Sequence, residues 1–297
     1  MKAFITGANG FVGKWLQKHL TEKGDEVIAS EVDITDEDGI NTAIASTKPE
    51  AIYHLAALTH VGDSWNAPKE SFRVNAMGTL NVLEAARHLS NMPKVLLVCS
   101  AEVYGVVKND QLPLKETIAL APVTPYAVSK VAAEFLGIQS HLAYGLPVIR
   151  VRAFNHIGPH QASNFVVSAL AKRIVEAKKQ KSRVLEVGNI STRRDFTDVR
   201  DVVNAYTMLI DKGSPGEVYN VCSGTDISIE ELANKMIKIS GASQLYLEVD
   251  PSLERPVDIP VLRGDRSKIE NDTGWRPKIP LEQTLEEVLQ FWQNSQA

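Results

Sequence analysis

A glycine-rich loop near the N-terminus constrains the fold of this 297-residue chain more than any other feature. An apolar segment at 2–6 leads into Gly7-Ala8-Asn9-Gly10-Phe11-Val12-Gly13, and an amphipathic segment follows at once. Gly7 suits a tight turn, Gly10 lets the backbone approach an anion, and Gly13 lets helix and strand pack closely. The pattern therefore predicts a strand–turn–helix unit whose helix begins at a phosphate-binding loop.

The first half of the chain repeats this alternation of strand and helix. The predicted strands are 2–6, 26–29, 51–55, 94–99 and 147–152, and the predicted helices are 10–23, 36–47, 75–89 and 126–144. Parallel strands need long crossover connections, and helices of this length provide them. The pattern predicts an α/β fold, a Rossmann-like, doubly wound parallel sheet with helices on both faces.

After Asn155 this rhythm breaks, and helices and strands alternate with proline-rich loops. Helices are predicted at 165–178, 199–210, 229–240 and 281–293, and strands at 183–187 and 218–221. We therefore expect a cofactor-binding domain at 1–155, to which elements from about 191–222 return. Residues 156–297 are expected to form mostly a small, interleaved C-terminal substrate-binding domain.

Composition excludes several classes of function. A net charge of −4 gives no basic field for nucleic acid or membranes. Only two cysteines occur, so a disulfide framework is not expected. We therefore expect a cytoplasmic location. The N-terminus lacks the pattern of a signal peptide, and no apolar run is long enough to span a bilayer. His156 and His160 lack metal-ligand spacing, so no metal is predicted.

An acidic side chain at the end of the second strand bears on the cofactor. Glu31 can accept hydrogen bonds from a ribose diol and repel a 2′-phosphate. No Arg or Lys occurs between Glu26 and Thr47, so no cation near in sequence favours such a phosphate. NAD(H) is therefore favoured, with NADP(H) possible, unless Glu31 is only a solvated loop acid.

Tyr126 and Lys130 lie four residues apart in a predicted helix, so their side chains share one helical face. An ammonium near a phenol lowers the phenol's pKa, and such a phenol can exchange protons with a sugar oxygen. Ser100 ends the fourth predicted strand, at the sheet edge where ligands bind. Together the three residues predict redox chemistry on a carbinol or ketone.

These residues carry a resemblance to a known family. The glycine loop, Asn75, Ser100, Tyr126 and Lys130 resemble the extended short-chain dehydrogenase/reductase family over nearly the whole chain. Later motifs agree: Phe-Asn-His-Ile-Gly-Pro at 154–159, Arg-Asp-Phe-Thr-Asp at 194–198 and Thr-Gly-Trp at 273–275. Within its nucleotide-sugar branch, the sequence is most similar to reductases of GDP-4-dehydro-6-deoxy-D-mannose, which make GDP-D-rhamnose.

The resemblance implies a role for each catalytic residue. A reduced nicotinamide would pass a hydride to the C4 ketone of the sugar, and Tyr126 would protonate the oxygen. Lys130 would hold the nicotinamide ribose and lower the pKa of Tyr126. Ser100 would hydrogen-bond the C4 oxygen.

The resemblance also implies binding residues and a partner. For the cofactor these are Gly7, Gly10, Phe11, Val12, Gly13, Glu31, Asp33, Ile34, Leu55, Ala56, Ala57, Asn75, Tyr126 and Lys130. For the nucleotide-sugar they are Asn155, Asn189, Arg194 and Arg255. Asn75 would fix Lys130 or the cofactor, or else cap a helix N-terminus. Both arginines could instead be solvated surface charges. The helices at 75–89 and 126–144 would form a four-helix homodimer interface.

Glu102 leaves more than one activity open. Related 4,6-dehydratases use a glutamate here as the base that removes the C5 proton, so a GDP-mannose 4,6-dehydratase remains an alternative. Ala101 argues against it, because those enzymes carry an acidic or small polar residue at that position. The similar reductases keep the glutamate, so Glu102 can instead shape the pocket. A nucleotide-sugar 4-epimerase and a non-catalytic NAD-binding relative also stay open.

Overall fold

The computed structural model describes residues 1–253 and 257–295. Its strands are β1 (Lys2–Thr6), β2 (Glu26–Ser30), β3 (Ala51–His54), β4 (Lys94–Val98), β5 (Val148–Ala153), β6 (Asn155–Ile157), β7 (Val184–Val187), β8 (Arg193–Asp198), β9 (Val218–Val221), β10 (Asp226–Ser228), β11 (Tyr246–Val249) and β12 (Val261–Leu262). Its α-helices are α1 (Phe11–Glu22), α2 (Glu37–Thr47), α3 (Val61–Asn66), α4 (Pro68–Phe72), α5 (Thr79–Arg87), α6 (Pro125–Tyr144), α7 (Val166–Gln180), α8 (Val199–Lys212), α9 (Ile229–Ile239), α10 (Ser267–Thr273) and α11 (Leu281–Ser295). A π-helical turn (Arg73–Gly78) joins α4 to α5, and 3-10 turns lie at Ala101–Tyr104, Asn109–Gln111 and Pro251–Leu253.

Six strands form one sheet in the order β2-β1-β3-β4-β5-β9, and every neighbouring pair is parallel. The strand order reverses between β1 and β3, so the carboxyl ends of these two strands frame a crevice. Ligands of open α/β sheets bind at such a crevice. The predicted Rossmann-like α/β fold is confirmed, and the strand predicted at 218–221 lies beside β5 at the sheet edge.

Apolar helix faces cover both sides of this sheet. On one side Leu16 of α1 packs in a cluster with Tyr206 of α8. On the other side Ile40 of α2 packs with Leu83 of α5. Burying each large apolar side chain contributes about 1.5–3 kcal/mol, so these two layers fix the sheet and the loops at its edge.

The other strands form two smaller sheets. β8 pairs with β6, β10 and β12, and β7 pairs with β11. Helices α7, α9 and α11 pack together through Leu170, Leu232 and Leu285. The division of the chain into domains at 1–155 and 156–297 stays a prediction.

Several short elements were not predicted. β8 reads Arg-Arg-Asp-Phe-Thr-Asp and shows no apolar alternation, although five of its six residues are buried. Hydrogen bonds hold the buried side chains of Arg194, Asp195 and Asp198 in this strand. Hydrophobic periodicity missed the strand because most of its buried residues are polar. β6, β10, β12, α3 and α10 are too short to show a period.

The helix predicted at 75–89 begins earlier than expected. Helical backbone runs from Pro68 to Arg87 as α4, the π-helical turn and α5, with Pro68 at its first position. Proline suits that position because its missing N–H would have no helical partner. Asn75 therefore lies inside the helical run.

In the described part of the chain, no helix combines the length and apolar character that crossing a membrane requires.

Candidate active site

Ser100 and Tyr126 meet at the carboxyl edge of the main sheet. Ser100 lies two residues after β4 and directly before the 3-10 turn, while Tyr126 is the second residue of α6. Thr124 fixes the start of α6, because its side chain accepts a hydrogen bond of 3.1 Å from the amide of Ala127. The side chain of Ser100 lies close enough to the Tyr126 phenol to affect its pKa, and the residues are only 7% and 6% exposed. The structure thus brings together two predicted catalytic residues.

Lys130 lies one helical turn after Tyr126 and is 4% exposed. Its ammonium donates a hydrogen bond of 2.6 Å to the carbonyl oxygen of Val98. The predicted lowering of the Tyr126 pKa is wrong for this arrangement. Burial raises the pKa of Tyr126, the hydrogen bond from Ser100 opposes that rise, and the negative charge of Glu102 adds to it. The phenol is therefore held in its protonated form.

Glu102 completes the predicted catalytic set. It lies in the 3-10 turn, and its backbone N–H donates a hydrogen bond of 3.2 Å to the Ser100 hydroxyl. Because its charge raises the Tyr126 pKa, the Glu102 carboxylate lies near the phenol. Ser100, Glu102 and Tyr126 thus lie in one part of the structure.

The glycine loop has the shape of a dinucleotide cradle. Gly7 adopts a φ of +71°, and a Cβ there would lie 2.7 Å from the backbone nitrogen of Ala56. A Cβ on Gly13 would lie 2.3 Å from the carbonyl oxygen of Gly7. Gly10 precedes α1 and has no side chain to cap it, so the first amides of the helix can serve an anion. These residues fit the pyrophosphate of a nicotinamide dinucleotide.

The adenosine end of this cradle contains one residue that sequence reasoning missed. Glu31 is exposed and accepts a hydrogen bond of 3.3 Å from Asn9 of the glycine loop. Asp33 accepts hydrogen bonds from the amide and hydroxyl of Thr35, which lower the Asp33 pKa. Arg73 donates to the Thr35 hydroxyl across 2.6 Å. A cation therefore lies near this end, although none occurs nearby in sequence.

The neighbours of Asp33 and Leu55 complete this part of the cradle. Ile34 is 3% exposed and packs in the core beside β2 and α5. The Leu55–Ala57 segment follows β3, next to the glycine loop, and Ala56 donates its N–H to the hydroxyl of Thr6.

Asn75 braces the loop after β3 against α6. Its side-chain amide donates to the Leu58 carbonyl and to the Ser129 hydroxyl, and its side-chain oxygen accepts from the Leu58 amide, all within 3.0 Å. The helix N-cap alternative is wrong, because Asn75 lies within continuous helical backbone. Asn75 thus contacts the residue before Lys130 rather than Lys130 itself.

A buried histidine, also missed from the sequence, joins the same region. The Thr79 hydroxyl donates to the Asn75 carbonyl, so it accepts from Nε2–H of His54, 2.9 Å away. Nδ1 of His54 then accepts from the Thr6 hydroxyl at 2.7 Å. Burial lowers the pKa of His54 to about 3, so the ring is neutral.

Of the predicted substrate residues, Asn155 and Arg194 lie on the small sheets, and Asn189 lies in the loop after β7. Asn155 on β6 pairs with Phe196 on β8. The Asn189 amide donates to the Asp258 carboxylate at 3.1 Å. Arg194 is 7% exposed and donates to the carbonyl oxygens of its neighbour Arg193 and of Ile259. The prediction for Arg255 lies outside the described residues.

Asp195, next to Arg194, is a further residue missed from the sequence. Its fully buried carboxylate accepts hydrogen bonds from the amide and hydroxyl of Ser223 and from the amides of Gly224 and Gly264. Burial nevertheless raises the pKa of Asp195 to about 6. The carboxylate therefore ties two loops, at 223–224 and at 264, to β8 beside the predicted substrate residues.

A Rossmann sheet with a glycine cradle and a buried Ser100, Tyr126 and Lys130 set defines an extended short-chain dehydrogenase/reductase. The sequence profile of the family described as "GDP-mannose 4,6 dehydratase" matches residues 29–288. The chain belongs to this family of extended short-chain dehydrogenases/reductases, which confirms the resemblance.

Two relatives and one solved structure show the likeness over most of the chain. The chain is 37% identical to GDP-6-deoxy-D-mannose reductase from Pseudomonas aeruginosa, over 99% of this chain and 97% of the relative. It is 34% identical to GDP-6-deoxy-D-talose 4-dehydrogenase from Aggregatibacter actinomycetemcomitans, over 92% of each chain. The structure of RMD from Pseudomonas aeruginosa complexed with NADPH superposes with a TM-score of 0.91, at 36% identity, over 99% of this chain and all of that one.

Proposed function

We propose that this protein is an NAD(P)H-dependent reductase of a nucleotide-sugar, acting on the C4 ketone of GDP-4-dehydro-6-deoxy-D-mannose to give GDP-D-rhamnose. The neighbouring, buried hydroxyls of Ser100 and Tyr126 carry this proposal. They lie at the same sheet edge as the glycine cradle, where a sugar carbonyl can meet a nicotinamide. The 37% identity to GDP-6-deoxy-D-mannose reductase supports the choice of sugar nucleotide.

The proposed chemistry follows from the protonation state of Tyr126. A bound reduced nicotinamide supplies the hydride. The raised pKa keeps the Tyr126 phenol protonated at neutral pH, so it can donate its proton to the C4 oxygen as negative charge develops there. Ser100 orients that oxygen by hydrogen bonding, and Lys130, fixed through Val98, holds the nicotinamide ribose.

For the cofactor we propose that Glu31 favours NADH over NADPH. Its exposed carboxylate lies against the glycine loop and would repel a 2′-phosphate. Arg73 opposes this preference only weakly, because its guanidinium already forms a bidentate pair with Glu70. In Glu31→Ser we expect the NADH:NADPH ratio of kcat/KM to fall about tenfold, roughly the effect of 1.4 kcal/mol. A wild-type preference for NADPH would contradict this.

On the substrate side we propose that Asn155, Asn189, Arg194 and Arg255 hold the nucleoside diphosphate. Arginine suits two phosphate charges because its fork gives bidentate hydrogen bonds. The carbonyl contacts of Arg194 fix its guanidinium beside β12, and Asp195 fixes the adjoining loops.

The function is tested by following NADH and NADPH oxidation with GDP-4-dehydro-6-deoxy-D-mannose. Oxidation that requires the keto-sugar supports the reductase.

Glu102, close to Tyr126, favours the 4,6-dehydratase as the second candidate. A keto product formed from GDP-mannose without net cofactor turnover would support that candidate and make Glu102 its base. The 4-epimerase is less favoured, because the relatives with higher identity are named for reduction or dehydrogenation of GDP-sugars.

We also propose a homodimer that buries a stripe on α6. Val128, Phe135 and Leu142 recur every seven residues on this helix and are 39%, 56% and 78% exposed. Phe72 and Met77, on the adjoining helical run, are 39% and 53% exposed. Exposed apolar side chains on two neighbouring helices suit a four-helix interface with a second copy.

For location we propose the cytoplasm. Cys99 and Cys222 are both buried free thiols, which agrees with a reducing compartment.

A further inference from the structure

A buried charged pair extends from the candidate active site along α6. Glu134 lies four residues after Lys130, and its side chain is 1% exposed. Its carboxylate accepts hydrogen bonds from Nε and Nη2 of Arg152 at 3.1 and 2.7 Å, and from Arg150 at 3.4 Å. Charges removed from water are tolerated only with good geometry and satisfied hydrogen bonds. The bidentate pair therefore fixes Arg152 relative to α6.

Arg152 also contacts the turn that follows Ser100. Its Nη1 donates to the Tyr104 hydroxyl at 3.0 Å and to the Glu116 carbonyl at 2.9 Å. The guanidinium carbon lies 4.9 Å from the centre of the Tyr104 ring. The Tyr104 hydroxyl donates in turn to Asn220 on β9, at 2.7 Å. Tyr104 is the last residue of the 3-10 turn (Ala101–Tyr104), so this contact fixes that turn.

One guanidinium thus joins the two segments that carry the reacting hydroxyls. Tyr126 is on α6, two helical turns before Glu134, and Ser100 begins the turn that ends at Tyr104. The guanidinium is planar, and its donors have a fixed fork geometry. A shift of this group therefore moves one segment against the other.

We propose that Tyr104 and Arg152 are positioning residues that set the separation between the hydroxyls of Ser100 and Tyr126. The proposal rests on the proposed function, in which these hydroxyls hold and protonate the substrate oxygen. Misplacing reacting groups by about 1 Å can cost about 100-fold in rate. The network acts through the two hydroxyls and does not itself touch the substrate.

Tyr104→Phe tests this role, with Tyr219→Phe as its matched control. Both tyrosines are fully buried, and each hydroxyl makes two hydrogen bonds. The Tyr219 hydroxyl accepts from the Ser214 amide and donates to Asp272, on the opposite face of β9 from Asn220. Removing the Tyr219 hydroxyl should therefore lower the free energy of unfolding by a similar amount. It leaves the contacts between Tyr104 and Arg152 unchanged.

We expect Tyr104→Phe to lower kcat for keto-sugar reduction about tenfold or more and to shift the pH dependence of kcat. The Kd of the cofactor should stay at the wild-type value, and Tyr219→Phe should keep the wild-type kcat. Equal kcat values for the two variants would overturn the proposal. A loss of kcat that only follows the fraction of folded protein would also overturn it.

A second variant and a structural measurement test the proposal even if Tyr104→Phe does not fold or the proposed reaction is not observed. If Tyr104→Phe does not fold, Arg152→Lys keeps the buried charge opposite Glu134 but removes the fork, and the same loss of kcat is expected. If the wild-type protein reduces no keto-sugar, the proposed function fails on its own. Crystal structures of the two tyrosine variants then decide: the oxygen–oxygen distance between Ser100 and Tyr126 should change only in Tyr104→Phe.

Discussion

Lys130 donates a hydrogen bond of 2.6 Å to the carbonyl oxygen of Val98, two residues before Ser100. This bond fixes α6 to the end of β4, and it gives Lys130 a structural task that the Tyr–Lys spacing did not disclose. Burial lowers the pKa of this ammonium, so a nearby acceptor is needed to hold its charge. The hydrogen bond thereby ties α6 to β4, the strand that leads to Ser100.

Tyr126→Phe should remove turnover and leave cofactor affinity unchanged. The variant loses only the proton donor, and general acid catalysis contributes about 10²–10⁴-fold in rate. The measurements are kcat for keto-sugar reduction and the Kd for the cofactor. Tyr53→Phe is the control, because that buried hydroxyl has no hydrogen-bond partner in the described part of the chain. A wild-type rate in Tyr126→Phe would remove Tyr126 as the acid.

The two reaction directions should differ in their pH dependence. Burial raises the pKa of Tyr126, so the phenol stays protonated well above neutral pH. Reduction needs this proton, and its kcat should therefore be flat from about pH 6 to about pH 9. Sugar oxidation needs the tyrosinate, so its kcat should rise as the pH increases. A reduction rate that falls above about pH 7 would show instead that Lys130 lowers this pKa.

His54 should make the free energy of unfolding depend on pH. Its pKa is about 3 in the folded protein, below the ordinary value of 6.5. Between these values only the unfolded chain binds the proton, so stability present above about pH 6.5 is lost as the pH falls. Because of His54, the free energy of unfolding should fall by about 2 kcal/mol between pH 8 and pH 5.

The measurement is urea unfolding of the wild type, of His54→Gln and of His88→Gln, an exposed control. The loss between pH 8 and pH 5 should shrink only in His54→Gln, because glutamine does not titrate. An equal loss in all three proteins would assign the pH dependence to other groups.

A buried charge at the proposed dimer interface should yield monomers. Phe135→Glu places a carboxylate in the middle of the exposed stripe on α6, where a second copy would remove it from water. The molar mass in solution should fall by half. Tyr246→Glu is the control, because Tyr246 is 55% exposed and lies on β11, away from the stripe. An unchanged mass for Phe135→Glu would contradict the interface.

Local sequence signals predicted much of the main sheet and the centre of the site. The strand at 2–6 and the helix that ends at Tyr144 follow from apolar periodicity and a glycine stop. The sequence predicted that Ser100 and Tyr126 lie close together, because the carboxyl ends of parallel strands meet at one edge of the sheet. The roles of these residues stay predictions.

Contacts between distant segments could not be predicted from the sequence. Arg73 contacts Thr35 across 38 residues, and Arg152 contacts Tyr104 across 48 residues. No local pattern marks such partners. The π-helical turn around Asn75 was missed for a similar reason, since its side chain bonds to a loop 17 residues away.

Hydride transfer to the sugar is the central claim, and labelled cofactor tests it most directly. The protein is incubated with GDP-4-dehydro-6-deoxy-D-mannose and NADH or NADPH that carries deuterium at the transferred position. The account predicts one deuterium in the sugar product, at C4, with the rhamno configuration by nuclear magnetic resonance. A product without deuterium, or no product from the keto-sugar with either cofactor, would contradict the account.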